Sequence, residues 1–353
     1  MPLSDDPDVI VFNLKKRYTG VSATVNALVP LQARQWRLQY CGTPLPHGLQ
    51  GLTLRQAIAL SRRPPAGRPF RIWHVRRDHE MAAGLWARDV LRLPVRLVFT
   101  SAAQRRHGAF PRWLISRMDA VIATSDAAAA FVPNTTAVVS HGIDVNRFTP
   151  PTDKRHAWAT SGLPGDYGIG TFGRVRPEKG TDVFVDAMIR AGPGLPGATA
   201  VIAGLAQEQH QTFEQDLRQR IAAAGLTDRI VFLGEIPSAD IHQWYQRCRI
   251  CVACPRYEAF GLTPFEAGAA GCALVCSRTG AFADLVTPGE QGELVDVGDA
   301  AGLADAVRRI AADPDHTLAL GAAARERVAG RFSVQHEADG IGRVYQQLFE
   351  RGA

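Results

Sequence analysis

The sequence predicts an α/β protein built from two successive Rossmann-like halves, and three observations carry that expectation. At 353 residues the chain exceeds what one hydrophobic core ordinarily serves, so two domains are expected. Short apolar runs alternate with amphipathic stretches along its length, the pattern of parallel strands covered by helices. Midway, the segment 151–167 interrupts the alternation with Pro151, Pro164 and Gly165, directly after Pro150, and reads as a linker.

The first series opens on the apolar run Val9–Leu14, followed by a polar loop to Gly20 and a helical pattern through Val21, Val25, Leu28 and Leu31. Further strands are expected at Arg71–Val75, Val95–Thr100, Ala120–Thr124 and Thr136–Val139, with Met81–Leu91 amphipathic between them. The second series starts at Tyr167–Gly173 and continues with Ala198–Ala203, Ile230–Leu233, Ile250–Ala253, Ala273–Ser277 and Gly292–Val295. Helical patterns fall at 181–190, 208–224, 238–247 and 302–312, and a last helix at about 333–350. The expected division is 1–150, 151–332 and a C-terminal helix in 333–353. Sheets of this kind bind ligands outside the carboxyl ends of their strands, so the chemistry is sought there, in a cleft where the two halves face each other.

Hydrophobic residues make up 46% of the chain and charged residues 21%, which excludes disorder for most of it. The opening MPLSDDPDVIVFN is acidic where a secretory leader is basic, and no run approaches 18 apolar residues, so a cytosolic or cytosol-facing peripheral location is expected. The net charge of +6 is unevenly spread. Residues 1–150 carry 20 Lys and Arg against 9 Asp and Glu, a net +11, whereas 151–353 carry 20 against 25, a net −5. An anionic membrane surface, a phosphorylated acceptor or nucleic acid would each suit the basic half. The absence of a helix-turn-helix, zinc-finger or RNP motif gives nucleic acid no support. Cys248, Cys251 and Cys254 form a Cys-x2-Cys-x2-Cys run, but within the apolar stretch RICVAC it reads as a buried strand, with positions three apart facing opposite sides. No second ligand pair stands at zinc spacing nearby.

The most informative stretch is RYEAFGLTPFEAGAAG, 256–271. Glu258 and Glu266 flank a Gly-containing turn; Thr263 suits an N-cap, Pro264 the first helical position and Glu266 the third, a capping box. Backbone N–H groups of Phe260, Gly261, Leu262 and Thr263 at this helix start would favour a phosphate. Glu266 is equally well explained as a cap alone. After Tyr167–Gly173 the sequence GRVRPEKGTDVFVDA places Arg174 and Lys179 at a strand's carboxyl end, where fixed cations suit a diphosphate, and Thr181 is expected to cap the next helix.

Together these motifs resemble the retaining glycosyltransferases of family 4, through Glu-x7-Glu and Gly-Arg…Lys-Gly. The resemblance is strongest over 167–290 and implies the two-domain GT-B fold, with the last helix returning to the first half. It implies that Glu258 contacts the donor sugar and that Arg174 and Lys179 meet the diphosphate. Gly173 and Phe260 through Thr263 line that donor site, Glu266 holds the ribose, and residues after Gly234, Ile236 among them, border the base. Gly142, Asp144, Phe148 and Pro150 match a turn before the linker and are read as structural.

In the first half, Gly20 matches a Gly turn near the acceptor. Lys15, Lys16 and Arg17 before it are either a solvated run or the grip on an anionic acceptor. Where many members carry a His after the strand at Val95, this chain has Thr100 and Ser101. The stretches WHVRRDHEMAAGLWAR, FTSAAQRRHG and YEAFGLTPFEA are most similar to the lipopolysaccharide core mannosyltransferases of Gram-negative bacteria. That similarity implies mannose transfer from GDP-mannose to an acidic, lipid-linked inner-core sugar. No metal or other cofactor is expected, on the reading that no Asp-x-Asp motif is present and that Arg174, Lys179 and the helix N-terminus supply the positive charge. A GT-B sugar-nucleotide epimerase and a basic nucleic-acid-binding protein are the competing readings.

Overall fold

The computed structural model describes residues 4–15, 20–45 and 50–352. The chain divides into two compact units, residues 1–142 with 333–353, and residues 143–332. The division falls at Gly142 and not at Pro150, because Ile143 and Phe148 are buried in the second unit's core with Trp158.

The first unit holds β1 (Val9–Asn13), β2 (Leu38–Gly42), β3 (Arg71–Val75), β4 (Val95–Ser101), β5 (Ala120–Ala123) and β6 (Thr135–Val138). They form one parallel sheet in the order β2-β1-β3-β4-β5-β6. Fully buried runs such as VIVFN and RIWHV are what a sheet covered on both faces requires. β2 was not expected from the sequence, because LQYCG offers only Leu38 and Tyr40 around a Gln and lacks an apolar run.

The last helix, Val334–Arg351, belongs to this first unit. Ser333 caps it by accepting from His336 N–H, and Ile341, Val344, Tyr345, Leu348 and Phe349 join Val25, Leu28 and Ile72 in one core. This is a helix-period stripe buried against the sheet's own helices. Its first turn is also anchored by Glu337, which accepts from Gly142 N–H at 2.8 Å and bonds His141 at 2.9 Å.

The second unit holds β7 (Tyr167–Phe172), β8 (Ala198–Ala203), β9 (Ile230–Gly234), β10 (Cys248–Ala253), β11 (Ala273–Ser277) and β12 (Gly292–Val295), all parallel, in the order β12-β11-β10-β7-β8-β9. Counted within the unit, this is the doubly wound nucleotide-binding order. The order reverses between β7 and β10. An 18-residue helix, Pro314–Arg331, went unread in the sequence because its middle looks like low-complexity Ala and Gly. Those small residues let it approach closely: Ala324 is wholly buried and a side chain at Gly321 would run into Gly271.

The six cysteines are all free and buried. Cys248 and Cys251 share one core cluster and do not face opposite sides as strict alternation predicts, since a register shift between Cys248 and Ile250 inserts a bulge. Burial pushes the Cys254 thiol up to about 12, so it is an inert hydrophobe at neutral pH.

Candidate active site

In the second unit, the loops leaving β7 and β10 emerge side by side at the point where strand order reverses, where doubly wound sheets bind ligands. The β7 loop carries Gly173, Arg174 and Lys179; the β10 loop carries Arg256 and Glu258. Lys179 and Glu258 form an ion pair, with side chains 28% and 21% exposed. Such partly exposed pairs contribute at most about 1 kcal/mol, so a stronger anion can displace the carboxylate.

Arg256 holds the two loops together. Its guanidinium bonds both Asp182 oxygens at 2.7 Å and the Pro177 carbonyl at 2.5 Å, and its backbone N–H donates to the Glu178 carbonyl at 2.9 Å. Burial alone would raise the Asp182 carboxyl, but the Arg256 bonds and charge outweigh it and hold that carboxyl below its ordinary range. The helix Thr181–Ala191 starts on Gly180, φ 69°, and not on a Thr181 cap; Thr181 is the first helical residue. Any side chain at Gly180 would strike the Cys254 carbonyl, so this glycine lets the β7 loop lie against the end of β10. Arg174 is exposed and reaches Gln207 Oε1 at 3.4 Å, while Gly173 N–H continues the ladder to Ala203 O at 2.9 Å.

The second glutamate is placed differently from the sequence expectation. The helix begins at Leu262 with Gly261, φ 86°, as its cap residue and no side-chain cap. Thr263 and Pro264 are therefore its second and third residues, Glu266 lies a turn inside, and the capping box is absent. Gly261 permits this: at φ 86° a Cβ would collide with Phe282 and lie 2.7 Å from Glu258 Cγ, so only glycine lets the chain turn here, two residues before the expected cap. Glu266 instead accepts from Tyr245 Oη at 2.8 Å. Tyr245 packs on Phe172, the last residue of β7, with ring centroids 4.3 Å apart, and Thr263 Oγ1 reaches the Phe172 carbonyl at 3.5 Å. Phe260 is buried and stacks on Phe265, and Ile236 packs at the edge of the same cluster beyond β9. The sequence-predicted donor residues thus gather on one edge of one sheet; Arg256, Asp182 and Tyr245 were missed. Only the Arg-to-Asp spacing across two loops could have revealed them, and that is tertiary information.

Burial raises the Glu266 carboxyl above its ordinary value, against the lowering effect of the Tyr245 bond and the Arg147 charge. A raised carboxyl contributes stability that is complete below the unfolded carboxylate range and is lost as pH rises through the folded value. Gln at this position keeps an acceptor for Tyr245 and never ionises. The melting temperature of Glu266→Gln relative to wild type should therefore climb as pH rises above the ordinary carboxylate range. A difference that stays constant with pH would contradict a buried Glu266 that ionises at a cost to the fold.

In the first unit Lys15 is exposed beside the end of β1, and Gly20 opens the helix Gly20–Gln35. Lys16 and Arg17 lie outside the described residues. Thr100 does not stand free in place of the family His: it bonds His74 Nε2 at 2.7 Å, and His74 Nδ1 bonds Tyr345 Oη at 2.5 Å. Burial, with the Arg76 charge, drives His74 well below the ordinary imidazole range, so it is neutral and structural. Contrary to the sequence reading, two Asp-x-Asp triplets do occur, Asp6-Pro7-Asp8 and Asp313-Pro314-Asp315, and both serve structural contacts. Asp6 and Asp8 pair with Arg71 and Arg37, and Asp313 caps the helix Pro314–Arg331.

Two parallel six-stranded sheets, the second in nucleotide-binding order with a Lys–Glu pair at its switch point, are the two Rossmann-like halves that the sequence motifs predict. The chain belongs to the family described as Glycosyl transferases group 1, which its residues 160–327 match. It is 45% identical over 349 residues to the lipopolysaccharide core biosynthesis mannosyltransferase LpcC of Rhizobium leguminosarum bv. viciae, spanning 99% of this chain and 98% of that protein. Identity to LpsB of Rhizobium meliloti, also a lipopolysaccharide core biosynthesis mannosyltransferase, is 44% over 349 residues, 97% of this chain and 98% of that one. Among solved structures, Anabaena Alr3699/HepE in complex with UDP and glucose matches in fold, with TM-score 0.80 over 96% of this chain and 99% of that one at 20% identity.

Proposed function

We propose that this chain is a retaining family 4 hexosyltransferase that moves mannose from GDP-mannose onto an anionic, lipid-linked inner-core acceptor of lipopolysaccharide. The observation that carries the substrate assignment is near-full-length identity of 45% and 44% to two proteins named as core mannosyltransferases. The chemistry follows from the β7/β10 edge. Donor diphosphate displaces Glu258 from Lys179, and Lys179 with Arg174 stabilises the charge that grows as the C1–O bond to phosphate breaks. Glu258, released, accepts hydrogen bonds from sugar hydroxyls, and Glu266 takes those of the ribose. The acceptor oxygen bonds C1 on the face the phosphate leaves, and its proton passes to a departing phosphate oxygen, so the protein supplies no general base. Cations held by the chain neutralise the diphosphate, and no metal is assigned a role.

A membrane-surface location is supported by the first unit. No helix among the described residues is long and apolar enough to cross a membrane. The helix Ala109–Ser116 instead exposes Phe110 (59%) and Trp113 (54%), whose rings stack at 6.2 Å, and Trp86 is exposed on the turn that continues the adjoining helix. Arg105, Arg106, Arg112 and Arg117 stand exposed along the same segment. Aromatic rings flanked by arginines suit the headgroup layer of an anionic bilayer, each cation contributing about 1 kcal/mol near the surface. Changing Phe110 and Trp113 to Ser should abolish co-sedimentation with anionic vesicles while GDP-mannose binding persists; undiminished vesicle binding would refute the assignment. The transferase reading itself is tested by incubating the protein with GDP-mannose and isolated inner-core acceptor. A mass gain of one hexose is expected, and none with any nucleotide sugar would remove it.

A further inference from the structure

The first unit has its own switch point, between β1 and β3, and it holds a buried cation without an anion. The loops leaving these two strands are tied by Glu80, which is wholly buried: its oxygens accept from Leu14 N–H at 2.9 Å and Arg76 N–H at 2.8 Å. Arg77 adds a bond to Glu80 at 3.2 Å and one to Asn13 Oδ1 at 2.6 Å. The Glu80 charge is thus spent on two backbone amides and on Arg77. Arg76, only 7% exposed, keeps one side-chain bond, Nη1 to Thr24 Oγ1 at 3.3 Å. Its Nε and Nη2 are buried with no acceptor. No Asp or Glu among the described residues lies within ion-pair distance of it, and His74 behind it is neutral. A guanidinium buried in this state is costly to the fold unless an anion reaches it. The two idle nitrogens form one side of the guanidinium fork, the edge that takes two oxygens of a carboxylate or phosphate in parallel. Arg76 lines an open cavity of about 510 Å³ together with Lys15, Arg77, Asp78 and His79.

We propose that this cavity is the subsite for the acceptor's anionic group, with the Nε/Nη2 edge of Arg76 binding a carboxylate or phosphate on the sugar and Lys15 and Arg77 adding longer-range attraction. The inference rests on the transferase reading above and relocates the acceptor's main contact from the Lys15–Arg17 run to Arg76.

The test compares wild type, Arg76→Gln and Arg76→Lys by calorimetric titration with isolated inner-core acceptor, its methyl ester and its phosphatase-treated form, alongside donor titration and thermal melting. Arg76→Gln should weaken acceptor binding about 10- to 100-fold, leave GDP-mannose binding within twofold, and melt no lower than wild type because an unpaired buried charge has gone. Arg76→Lys, a point charge without the fork, should lose part of the affinity and covers the case of a Gln variant that does not fold. The source of the anion is the form whose masking weakens wild-type binding and makes the Gln substitution nearly silent: the ester for a carboxylate, the phosphatase product for a phosphate. Acceptor affinity within twofold of wild type in both variants, or loss of affinity matched by a lowered melting temperature and lost donor binding, would overturn the subsite. Direct acceptor binding separates this outcome from failure of the transferase reading, in which wild type binds the acceptor yet transfers nothing to it.

Discussion

Lys179→Ala should lower turnover about 10²- to 10³-fold, the scale on which a single charge-stabilising donor acts in a transition state. The fold should be untouched. Lys179 is partly exposed, its one ion pair is with Glu258, and the loop that carries it is fixed by other groups, Gly180 and the Arg256–Asp182 pair. Steady-state kinetics beside a melting curve decides the matter: near-normal kcat would mean the diphosphate is stabilised elsewhere, and a melting temperature lowered by many degrees would mean the residue is structural.

Glu258→Gln should separate binding from transfer. The carboxylate pairs with Lys179, and on the proposed reading it competes there with the donor's diphosphate. A neutral amide competes less, and GDP affinity should stay equal or rise by up to about fivefold, the equivalent of a partly exposed pair worth about 1 kcal/mol. Transfer should nevertheless fall about 100-fold, because in the proposed mechanism Glu258 aligns the sugar hydroxyls through its charge. Weaker GDP binding together with unchanged kcat would reverse both roles.

These expectations draw on features the sequence displays unevenly. Buried strands such as Tyr167–Phe172 and Ala198–Ala203 are legible because a parallel sheet covered on both faces needs continuous apolar runs. Lys179 and Glu258 are legible as motif residues, but the strand order that brings β7 and β10 together is set by non-local pairing that no local pattern encodes. The early helix start at Gly261 shows a limit of local signals: Thr-Pro-x-Glu is a sound capping box in isolation, and the packing of Phe282 and Glu258 against Gly261 overrides it. The Cys248 bulge is hidden for the same reason, since a register shift belongs to the pairing of two strands. Arg76 is the extreme case. In VRRDHE it is one more arginine in a basic half, and only the folded unit reveals that its neighbour Arg77 takes Glu80 while Arg76 is left with Thr24.

On the proposed reading, mannose leaves GDP-mannose and joins the acceptor on the same face, at a β7/β10 edge where Lys179 and Arg174 hold the departing phosphate and that phosphate takes the acceptor's proton. Proton NMR of the product made from GDP-α-mannose tests it most directly. The predicted result is an α-linked mannosyl residue; a β-linked product, or free mannose with the acceptor unmodified, would contradict it.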